Sequence, residues 1–532
     1  MSQPSATPTP DDDAAAAAAR IAAGYAVEGP ALDLGAVHAG GRTHPDAQVR
    51  LPLSVLNRHG LIAGATGTGK TRTLQLMAEQ LSAAGVPVVL ADLKGDLAGL
   101  ARPGEAGERV SRRAADTGDP WQPTGFPVEY LALGGLGTGV PVRATVTDFG
   151  PVLLSKVLDL NATQESSLGL VFHHADAAGL PLLDLADLRA LLTWLTSPEG
   201  KEELAGLGGL SKATAGVVLR ELVALEDLGG DVFFGEPAFD PDDLIRTAPD
   251  GRGVISAIEL PAVADRPALF STFLVWLLAE LFEQLPEVGD LDRPKVVFFL
   301  DEAHLLFRGA SKAFLTAVTQ TVRLIRSKGV GVFLVTQQPT DVPSDVLGQL
   351  GNRVQHALRA FTPEDADALK KTVRTFPRSD VYDDVAGLLT SLGTGEAAVT
   401  VLSERGAPTP LAWTVLRAPR AGMGAVPAGE MAAAVAASPL QPRYGTAVDR
   451  ESARELLAAR LAPPPAAPRA EPVPREEPAP RRRRGRAEEP EDGGVLADVM
   501  GSPVFRSFAR SAASALGREL TRGLFGTRRR RR

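Results

Sequence analysis

The sequence predicts an α/β fold built on a mostly parallel β-sheet, and three observations support this prediction. The runs at residues 296–300 and 330–335 are hydrophobic on both faces, as buried parallel strands are. Helical patterns lie before and between these runs. Finally, the apolar run 61–63 leads into a glycine-rich loop and then into a helical pattern with Leu74 and Leu81 on one face.

The composition excludes several classes of protein. Apolar residues make up 44% of the 532 residues, which suits a globular chain. We find no run of 18 uninterrupted apolar residues, so no membrane span is expected. Residues 2–13 are polar and acidic, unlike a signal peptide. The absence of cysteine excludes disulfides, thiolate metal sites and cysteine catalysis, and it fits a cytoplasmic protein, which is our expectation.

The composition also predicts five segments. Residues 1–24 are expected to be disordered at first and then to form a short Ala-rich helix. Residues 25–425 should form the main α/β domain, and residues 151–250 a Leu-rich helical insertion within it, because the alternation of strands and helices stops there. Residues 426–494 are predicted to be a Pro/Ala/Arg-rich linker. Residues 495–532 are predicted to form a basic amphipathic tail helix.

Further elements follow in order along the main domain. Strands are predicted at 88–91 and 254–258, and a long apolar helix at about 267–285. Two alternating segments, 395–401 and 410–417, flank a glycine and predict a β-hairpin.

The glycine-rich loop fits the phosphate-binding pattern G-x-x-x-x-G-K-[ST]. Its glycines allow backbone N–H groups to surround phosphates, and the following helix adds the positive end of its dipole. Lys70 would reach the β- and γ-phosphates, and the Thr71 hydroxyl would ligate Mg²⁺. The sequence therefore predicts that ATP and Mg²⁺ bind here, through Gly64, Ala65, Thr66, Gly67, Thr68, Gly69, Lys70 and Thr71.

Two acids come directly after the apolar run 296–300. Asp301 is placed to hold Mg²⁺, and Glu302 can polarise the attacking water as a general base. Two adjacent carboxylates at a strand end are costly unless a cation or solvent receives them. The pair therefore predicts hydrolysis of the bound nucleotide.

Several other polar residues are candidates for the site. Gln337 follows the run 330–335 and could sense the γ-phosphate, or simply cap the strand. The helix carrying Arg323 and Arg326 is expected to expose basic side chains near the carboxyl ends of the strands, where Arg326 could complete a neighbouring subunit's site. A solvated basic helix face is the alternative. Arg353 and Arg359 are also candidates for an interface arginine.

These motifs, together with their spacing, resemble the HerA/FtsK ATPases, which include hexameric DNA pumps and VirB4-type secretion motors. Closer similarity to the YjgR-like branch is indicated by Asn57-Arg58-His59-Gly60, Asp92-Leu93-Lys94-Gly95-Asp96-Leu97 and Leu516-Gly517-Arg518-Glu519-Leu520. The resemblance covers roughly residues 25–425 and the tail helix.

The resemblance implies an additional-strand RecA-like P-loop fold. It implies that Lys70 and Thr71 are the P-loop pair, and that Asp301 and Glu302 are the Walker B pair. It also implies that Gln337 is the sensor and that Arg326 acts in trans. One departure is clear: HerA proteins usually carry a β-barrel before the P-loop, and here the loop begins at Gly64, too early for a full barrel.

The charge distribution leaves the partner open. The net charge is −8, yet residues 503–532 hold nine Arg and one Glu. An apolar stripe within this tail predicts docking on a protein partner, a membrane surface or the chain's own assembly; it comprises Phe505, Phe508, Ala512, Leu516, Leu520 and Leu524.

Three hypotheses for function follow. The first is a homo-oligomeric ring, favoured as a hexamer, that hydrolyses ATP to move double-stranded DNA. The second is a secretion-type ATPase that acts on protein or membrane partners. The third is a nucleotide-dependent scaffold.

Overall fold

The computed structural model describes residues 10–265, 267–289, 291–307 and 312–461. Twelve strands in these residues form one sheet. They are β1 (Ala31–Ala39), β2 (Arg42–Pro52), β3 (Gly60–Ala63), β4 (Val88–Asp92), β5 (Val128–Leu133), β6 (Val140–Val142), β7 (Ile255–Glu259), β8 (Val296–Leu300), β9 (Val330–Thr336), β10 (Asn352–Gln355), β11 (Glu396–Thr400) and β12 (Ala412–Leu416).

Seventeen α-helices are found in the described part of the chain. They are α1 (Pro10–Ala23), α2 (Lys70–Ala83), α3 (Glu108–Thr117), α4 (Val146–Val157), α5 (Ala162–Ala177), α6 (Leu185–Leu195), α7 (Lys212–Asp227), α8 (Gly230–Phe233), α9 (Pro267–Gln284), α10 (His304–Phe307), α11 (Lys312–Ile325), α12 (Ser344–Leu347), α13 (Pro363–Val373), α14 (Val385–Ser391), α15 (Ala428–Ala436), α16 (Gln441–Tyr444) and α17 (Ala453–Leu461).

The sheet confirms the predicted mostly parallel α/β fold. Its order is β2-β1-β12-β11-β10-β3-β9-β8-β4-β7-β5-β6. All pairs from β10 to β6 are parallel, and the four strands at the other end pair antiparallel. Parallel strands end on the same side, so β3, β4, β8 and β9 all point toward one edge of the sheet. We call this the carboxyl edge, and the opposite side the amino edge.

Both faces of the central strands are covered, which explains their uninterrupted apolar sequences. In β8, Val297 and Phe299 belong to the core on the α2 side, whereas Phe298 and Leu300 belong to the core on the α9 side. All four are at most 3% exposed. Burial of such side chains stabilises a fold by about 1.5–3 kcal/mol each, so the ends of β8 are held firmly in place.

The region between β6 and β7 contains helices α4 to α8. Apolar side chains from these helices extend the core that covers one face of the sheet. After β12 the chain returns to this region. Tyr444 donates a hydrogen bond to Asp243 (2.6 Å), and Arg443 forms an ion pair with the same carboxylate (2.9 Å).

The linker predicted from residue 426 begins too early. Helices α15, α16 and α17 continue to Leu461, and buried Leu457 packs in the core shared with the inserted helices. The high Pro and Ala content led to this error, because tertiary packing supports helices that composition alone would not predict. The rest of the predicted linker and the tail helix lie outside the described residues. None of the described helices is long and apolar enough to cross a membrane.

Candidate nucleotide-binding site

The glycine-rich loop lies at the carboxyl edge, between β3 and α2. Its backbone is in the left-handed region at Gly64 (φ 154°), Gly67 (φ 79°) and Gly69 (φ 118°). A Cβ atom at Gly64 would lie 2.5 Å from the Cβ of His356, so only glycine fits there. The loop thereby leads into the start of α2, and the N–H groups of a first helical turn are suited to binding an anion.

Neighbouring strands hold this loop in place. The Gly64 N–H donates to the Gln337 carbonyl (3.1 Å), and the Ala65 N–H donates to the Ala357 carbonyl (2.8 Å). Beneath the loop, His356 is fully buried and lies 2.8 Å from the Thr73 hydroxyl. Burial, with a smaller effect of the Lys70 charge, lowers the pKa of His356 to about 4, so it supports the loop as a neutral imidazole.

Lys70 and Thr71 begin α2. The Lys70 ammonium is buried and donates hydrogen bonds to the carbonyl oxygens of Gly64 (2.7 Å) and Ala65 (3.2 Å). Burial lowers the pKa of Lys70, and the negative charge of Glu302 opposes this shift. Thr71 is half-buried on the first turn of the helix. Both residues therefore lie at the junction of the glycine-rich loop and α2.

Asp301 lies directly after β8, on the same edge. Its Oδ1 accepts the Glu302 N–H (2.9 Å), but its Oδ2 is buried and has no hydrogen-bond partner among the described residues. Burial raises the pKa of Asp301 to about 6. A buried carboxylate oxygen without a partner is energetically costly, and a cation at that point would offset the cost.

Glu302 has a strained backbone, with φ at 47° in the left-handed region. The next residue fixes this turn, because the Ala303 N–H donates to the Val335 carbonyl (2.8 Å). The Glu302 side chain is only 10% exposed and forms an ion pair with Lys94. The Nδ1 atom of His304 lies 3.3 Å from Glu302 Oε2. Burial alone would raise the pKa of Glu302, but the hydrogen bond and charge of Lys94 hold it below its usual range. Glu302 is thus a carboxylate able to accept a proton.

Lys94 also belongs to this site, although no sequence motif indicates a role for it. The loop that carries it is shaped by buried Asp92, whose carboxylate accepts the N–H groups of Lys94 (3.2 Å), Gly95 (2.7 Å) and Leu97 (2.8 Å). Because β4 pairs with β8, this loop lies beside Asp301 and Glu302. The signal was present in the sequence as a lysine between two aspartates after a buried strand.

The sequence of the chain decides its family. The family model described as helicase HerA-like C-terminal matches residues 39–532. The chain belongs to this family. The match confirms the resemblance to HerA-type proteins, while the narrower YjgR-like assignment stays a prediction.

The relatives and solved structures that are similar to this chain match different shares of its length. The DNA double-strand break repair helicase HerA of Pyrococcus furiosus is 30% identical over 105 residues, which is 20% of this chain and 18% of that protein. The chain thus matches less than a fifth of this relative's length. Among solved structures, the plasmid coupling protein TrwB in complex with the GTP analogue GDPNP has a TM-score of 0.49 and 15% identity, covering 74% of this chain and 97% of that chain. The VirB4 structure of Thermoanaerobacter pseudethanolicus has a TM-score of 0.42 and 14% identity, covering 75% and 98%.

The HerA-like site has donors that fit Mg²⁺. Asp301 offers a carboxylate oxygen without a partner among the described residues, and Thr71 offers a hydroxyl on the first turn of α2, which begins at the same edge of the sheet. No group of three or more His, Cys, Asp or Glu that could hold a metal occurs in the described residues. Mg²⁺ is commonly bound through one or two carboxylates together with substrate phosphates, so these two residues would hold it once a nucleotide is present.

The residues predicted as a sensor or as interface arginines lie at different positions relative to the glycine-rich loop. Gln337 is exposed just after β9, and its backbone carbonyl contacts the glycine-rich loop. Arg359 is exposed beyond the carboxyl end of β10 and lies over the Phe361 ring (5.9 Å). Arg353 lies within β10 and is half-buried.

Arg323 and Arg326 lie toward the amino edge of the sheet. The prediction that they lie near the carboxyl ends of the strands is therefore wrong. Helix α11 runs back from the end of β8 toward the start of β9. Arg326 follows its last residue, and the Asn57 side chain, before β3, donates to the Arg326 carbonyl (3.5 Å). Both arginines are exposed. A helix that joins two parallel strands must end at the amino edge, which the sequence reasoning overlooked.

Proposed function

We propose that this HerA-like protein is a Mg²⁺-dependent ATPase that assembles into a ring, favoured as a hexamer, and translocates double-stranded DNA. One observation carries the proposal for hydrolysis. Lys70, Asp301 and Glu302 come from two separate segments and meet at one edge, with a buried carboxylate oxygen left without a partner. This arrangement matches the needs of a bound triphosphate, its metal ion and the attacking water.

Each residue then has a distinct task. The loop N–H groups and Lys70 would bind the β- and γ-phosphates. Asp301 and Thr71 would hold Mg²⁺, whose charge would offset the negative charge of the phosphates. Glu302 accepts a proton from water as the water oxygen bonds to the γ-phosphorus and the bond to the ADP oxygen breaks. The proton is later released from Glu302 as inorganic phosphate leaves. Gln337 orients the water.

The position of Arg326 excludes a role at its own subunit's nucleotide. Strand β9 has seven residues and separates Arg326 from the carboxyl edge. At about 3.3 Å per residue this is about 20 Å, too far for the side chain to reach its own subunit's phosphates. We therefore infer that Arg326 serves a neighbouring subunit's nucleotide, where an added positive charge would stabilise the transition state.

DNA is proposed as the substrate because the family description and the Pyrococcus furiosus relative both name helicases. The net charge of −8 favours the alternative, a secretion-type or scaffold ATPase that acts on protein or membrane partners. A ring can still track DNA through a few basic residues that line its pore.

The test is ATP turnover by the full chain with and without linear double-stranded DNA, over roughly 50 to 200 mM salt. We expect DNA to stimulate turnover, and the stimulation to fall steeply with salt because phosphate contacts release counterions. The Glu302→Gln variant controls for contaminating ATPases. Particle mass with and without nucleotide measures ring assembly. Turnover that DNA leaves unchanged at every salt concentration would favour the alternative.

A further inference from the structure

The loop after β4 brings a second lysine to the nucleotide site. Lys94 Nζ donates a hydrogen bond to Glu302 Oε1, across 208 residues of sequence. This is the only hydrogen bond that the described residues offer to that ammonium. An ammonium carries three N–H donors, so two of them remain for another acceptor.

Lys94 lies on the solvent side of the buried acids. Its side chain is 48% exposed, whereas that of Glu302 is 10% exposed. A ligand that contacts Glu302 therefore comes within reach of the Lys94 ammonium, which is hydrogen-bonded to the same carboxylate. Since Glu302 would hold the attacking water, the γ-phosphate would lie one water molecule away from it.

The positive charge of Lys94 also acts on Lys70. Each ammonium is close to Glu302 and Asp301, and the charge of Lys94 disfavours the charged form of Lys70. Two like charges that converge on one space repel each other, and a polyanion placed between them relieves this repulsion. The Lys70 ammonium lies against the glycine-rich loop that follows β3, whereas Lys94 comes from the loop that follows β4.

The backbone of the Lys94 loop is firmly shaped. Asp92 binds three of its N–H groups, and Gly95 adopts φ 71°, where a Cβ would lie 3.3 Å from Pro261. The base of the lysine is therefore fixed, while its long side chain is free to adjust at the tip.

We propose that Lys94 binds the γ-phosphate of ATP together with Lys70, and that it is the residue by which this site distinguishes ATP from ADP. The inference rests on the proposed function, because it takes the carboxyl edge to be the ATP site. One donor of Lys94 stays on Glu302 and another reaches a γ-oxygen. The contact thereby couples the catalytic carboxylate to the presence of a γ-phosphate, which ADP lacks.

The experiment compares two nucleotides by calorimetric titration of the full chain with Mg²⁺ present. The probes are the non-hydrolysable β,γ-imido analogue of ATP and ADP. Lys94→Met removes the charge and keeps the side-chain length, and Lys94→Arg keeps the charge. Lys371→Met, at an exposed position on α13, is the matched control.

We expect Lys94→Met to weaken binding of the ATP analogue by about 10- to 100-fold, which is typical for loss of a charged hydrogen bond. ADP affinity should change less than about twofold, Lys94→Arg should restore part of the preference, and Lys371→Met should match the wild type. An equal loss for both nucleotides would instead show that Lys94 only shapes the loop and would overturn the proposal. Unchanged affinities combined with faster basal turnover would also overturn it, because Lys94 would then restrain Glu302.

The proposed function can fail separately. If the wild type binds neither nucleotide, or if Lys70→Ala leaves both affinities intact, the carboxyl edge is not the nucleotide site. Wild-type binding that Lys70→Ala abolishes, together with a Lys94→Met variant that keeps its preference for the ATP analogue, overturns the Lys94 proposal alone.

Discussion

Buried polar side chains at the two edges of the sheet differ in how completely they are hydrogen-bonded. At the amino edge, His59 is buried, donates from Nε2 to the Val322 carbonyl (2.7 Å) and accepts the Val332 N–H at Nδ1 (3.0 Å). At the carboxyl edge, Asp301 keeps a buried oxygen without a partner, and Glu302 has φ at 47°. Both edges contain strained backbone, since His59 has φ at 57°.

This difference in hydrogen bonding distinguishes a residue that supports the fold from residues that are suited to binding a ligand. Each ring nitrogen of His59 has a protein partner, so this residue connects the start of β3 to α11 and β9 and needs no ligand. Asp301 and Glu302 each keep a buried carboxylate oxygen without a hydrogen-bond partner among the described residues. A cation and a substrate would complete these contacts and offset their cost. A positive φ angle occurs at both edges and does not distinguish them. A buried oxygen without a hydrogen-bond partner does distinguish the carboxyl edge.

The largest expected effect tests whether the amino edge also contributes to chemistry in an assembled ring. Arg326→Ala should preserve ATP binding and reduce turnover by about 10³-fold or more, which is the range for an arginine supplied in trans. The measurement is turnover at saturating ATP, with binding followed by titration. Arg323→Ala, one helical turn earlier and also exposed, is the matched control.

Mixed rings decide where Arg326 acts. When Arg326→Ala protein is mixed with Lys70→Ala protein, some interfaces pair an intact loop with an intact arginine, and these should recover turnover. The absence of recovery in mixtures that co-assemble would confine the amino edge to structural support.

At the carboxyl edge, Lys70→Ala should weaken ATP binding by at least about 100-fold, because under the proposed function the ammonium would be the main point charge on the β- and γ-phosphates. Titration calorimetry measures the affinity, and thermal unfolding shows whether the fold is kept. Removing this buried charge should not lower the melting temperature appreciably. A variant that keeps wild-type affinity would contradict the assigned site.

The structure brings the glycine-rich loop and the two acids to one edge of the sheet, and both could be recognised from the sequence for a physical reason. A glycine-rich loop before Lys70 and two acids after a buried strand each encode their chemistry within a few consecutive residues. The contact between Lys94 and Glu302 spans 208 residues, so no local pattern shows it. Arg326 was placed at the wrong edge because the direction of α11 depends on the connection between two strands. Helices α15 to α17 were missed because packing, rather than composition, stabilises them.

His59→Ala should affect stability and leave the site nearly unchanged. It leaves the Val322 carbonyl and the Val332 N–H without partners, each at a cost of about 1–3 kcal/mol. Denaturant unfolding measures this loss, and ATP affinity should stay within about twofold. His173→Ala, at a partly exposed histidine, is the control. A large loss of ATP affinity in His59→Ala would contradict the separation of the two edges.

Acidification should reduce the difference in unfolding free energy between the wild type and His59→Ala. Burial lowers the pKa of His59 to about 4, whereas an unfolded histidine titrates near 6.5. The unfolded state therefore binds more protons as the pH falls from about 6.5 toward 4, and the stability that neutral His59 contributes is lost over that window. The gap between wild type and His59→Ala should narrow by about 1 kcal/mol between pH 7.5 and pH 5.5.

The smallest effect concerns the tail. Truncation after Ala462 keeps every described element, since α17 ends at Leu461. Basal ATP turnover should stay within about twofold, and affinity for polyanions should fall because the tail arginines are lost. Turnover and particle mass are the readouts. Collapse into inactive monomers would instead show that the tail helix holds the ring together.

The most direct test of the central claim is Glu302→Gln, because the claim assigns hydrolysis to the unsatisfied acids of the carboxyl edge. The amide keeps the shape of the side chain and removes the base. We predict that Mg²⁺–ATP binding is retained and that turnover falls by about 10²–10⁴-fold. Both quantities are measured on the same preparation, by titration with the β,γ-imido analogue and by phosphate release. Turnover at the wild-type rate would contradict the account and place the catalytic base elsewhere.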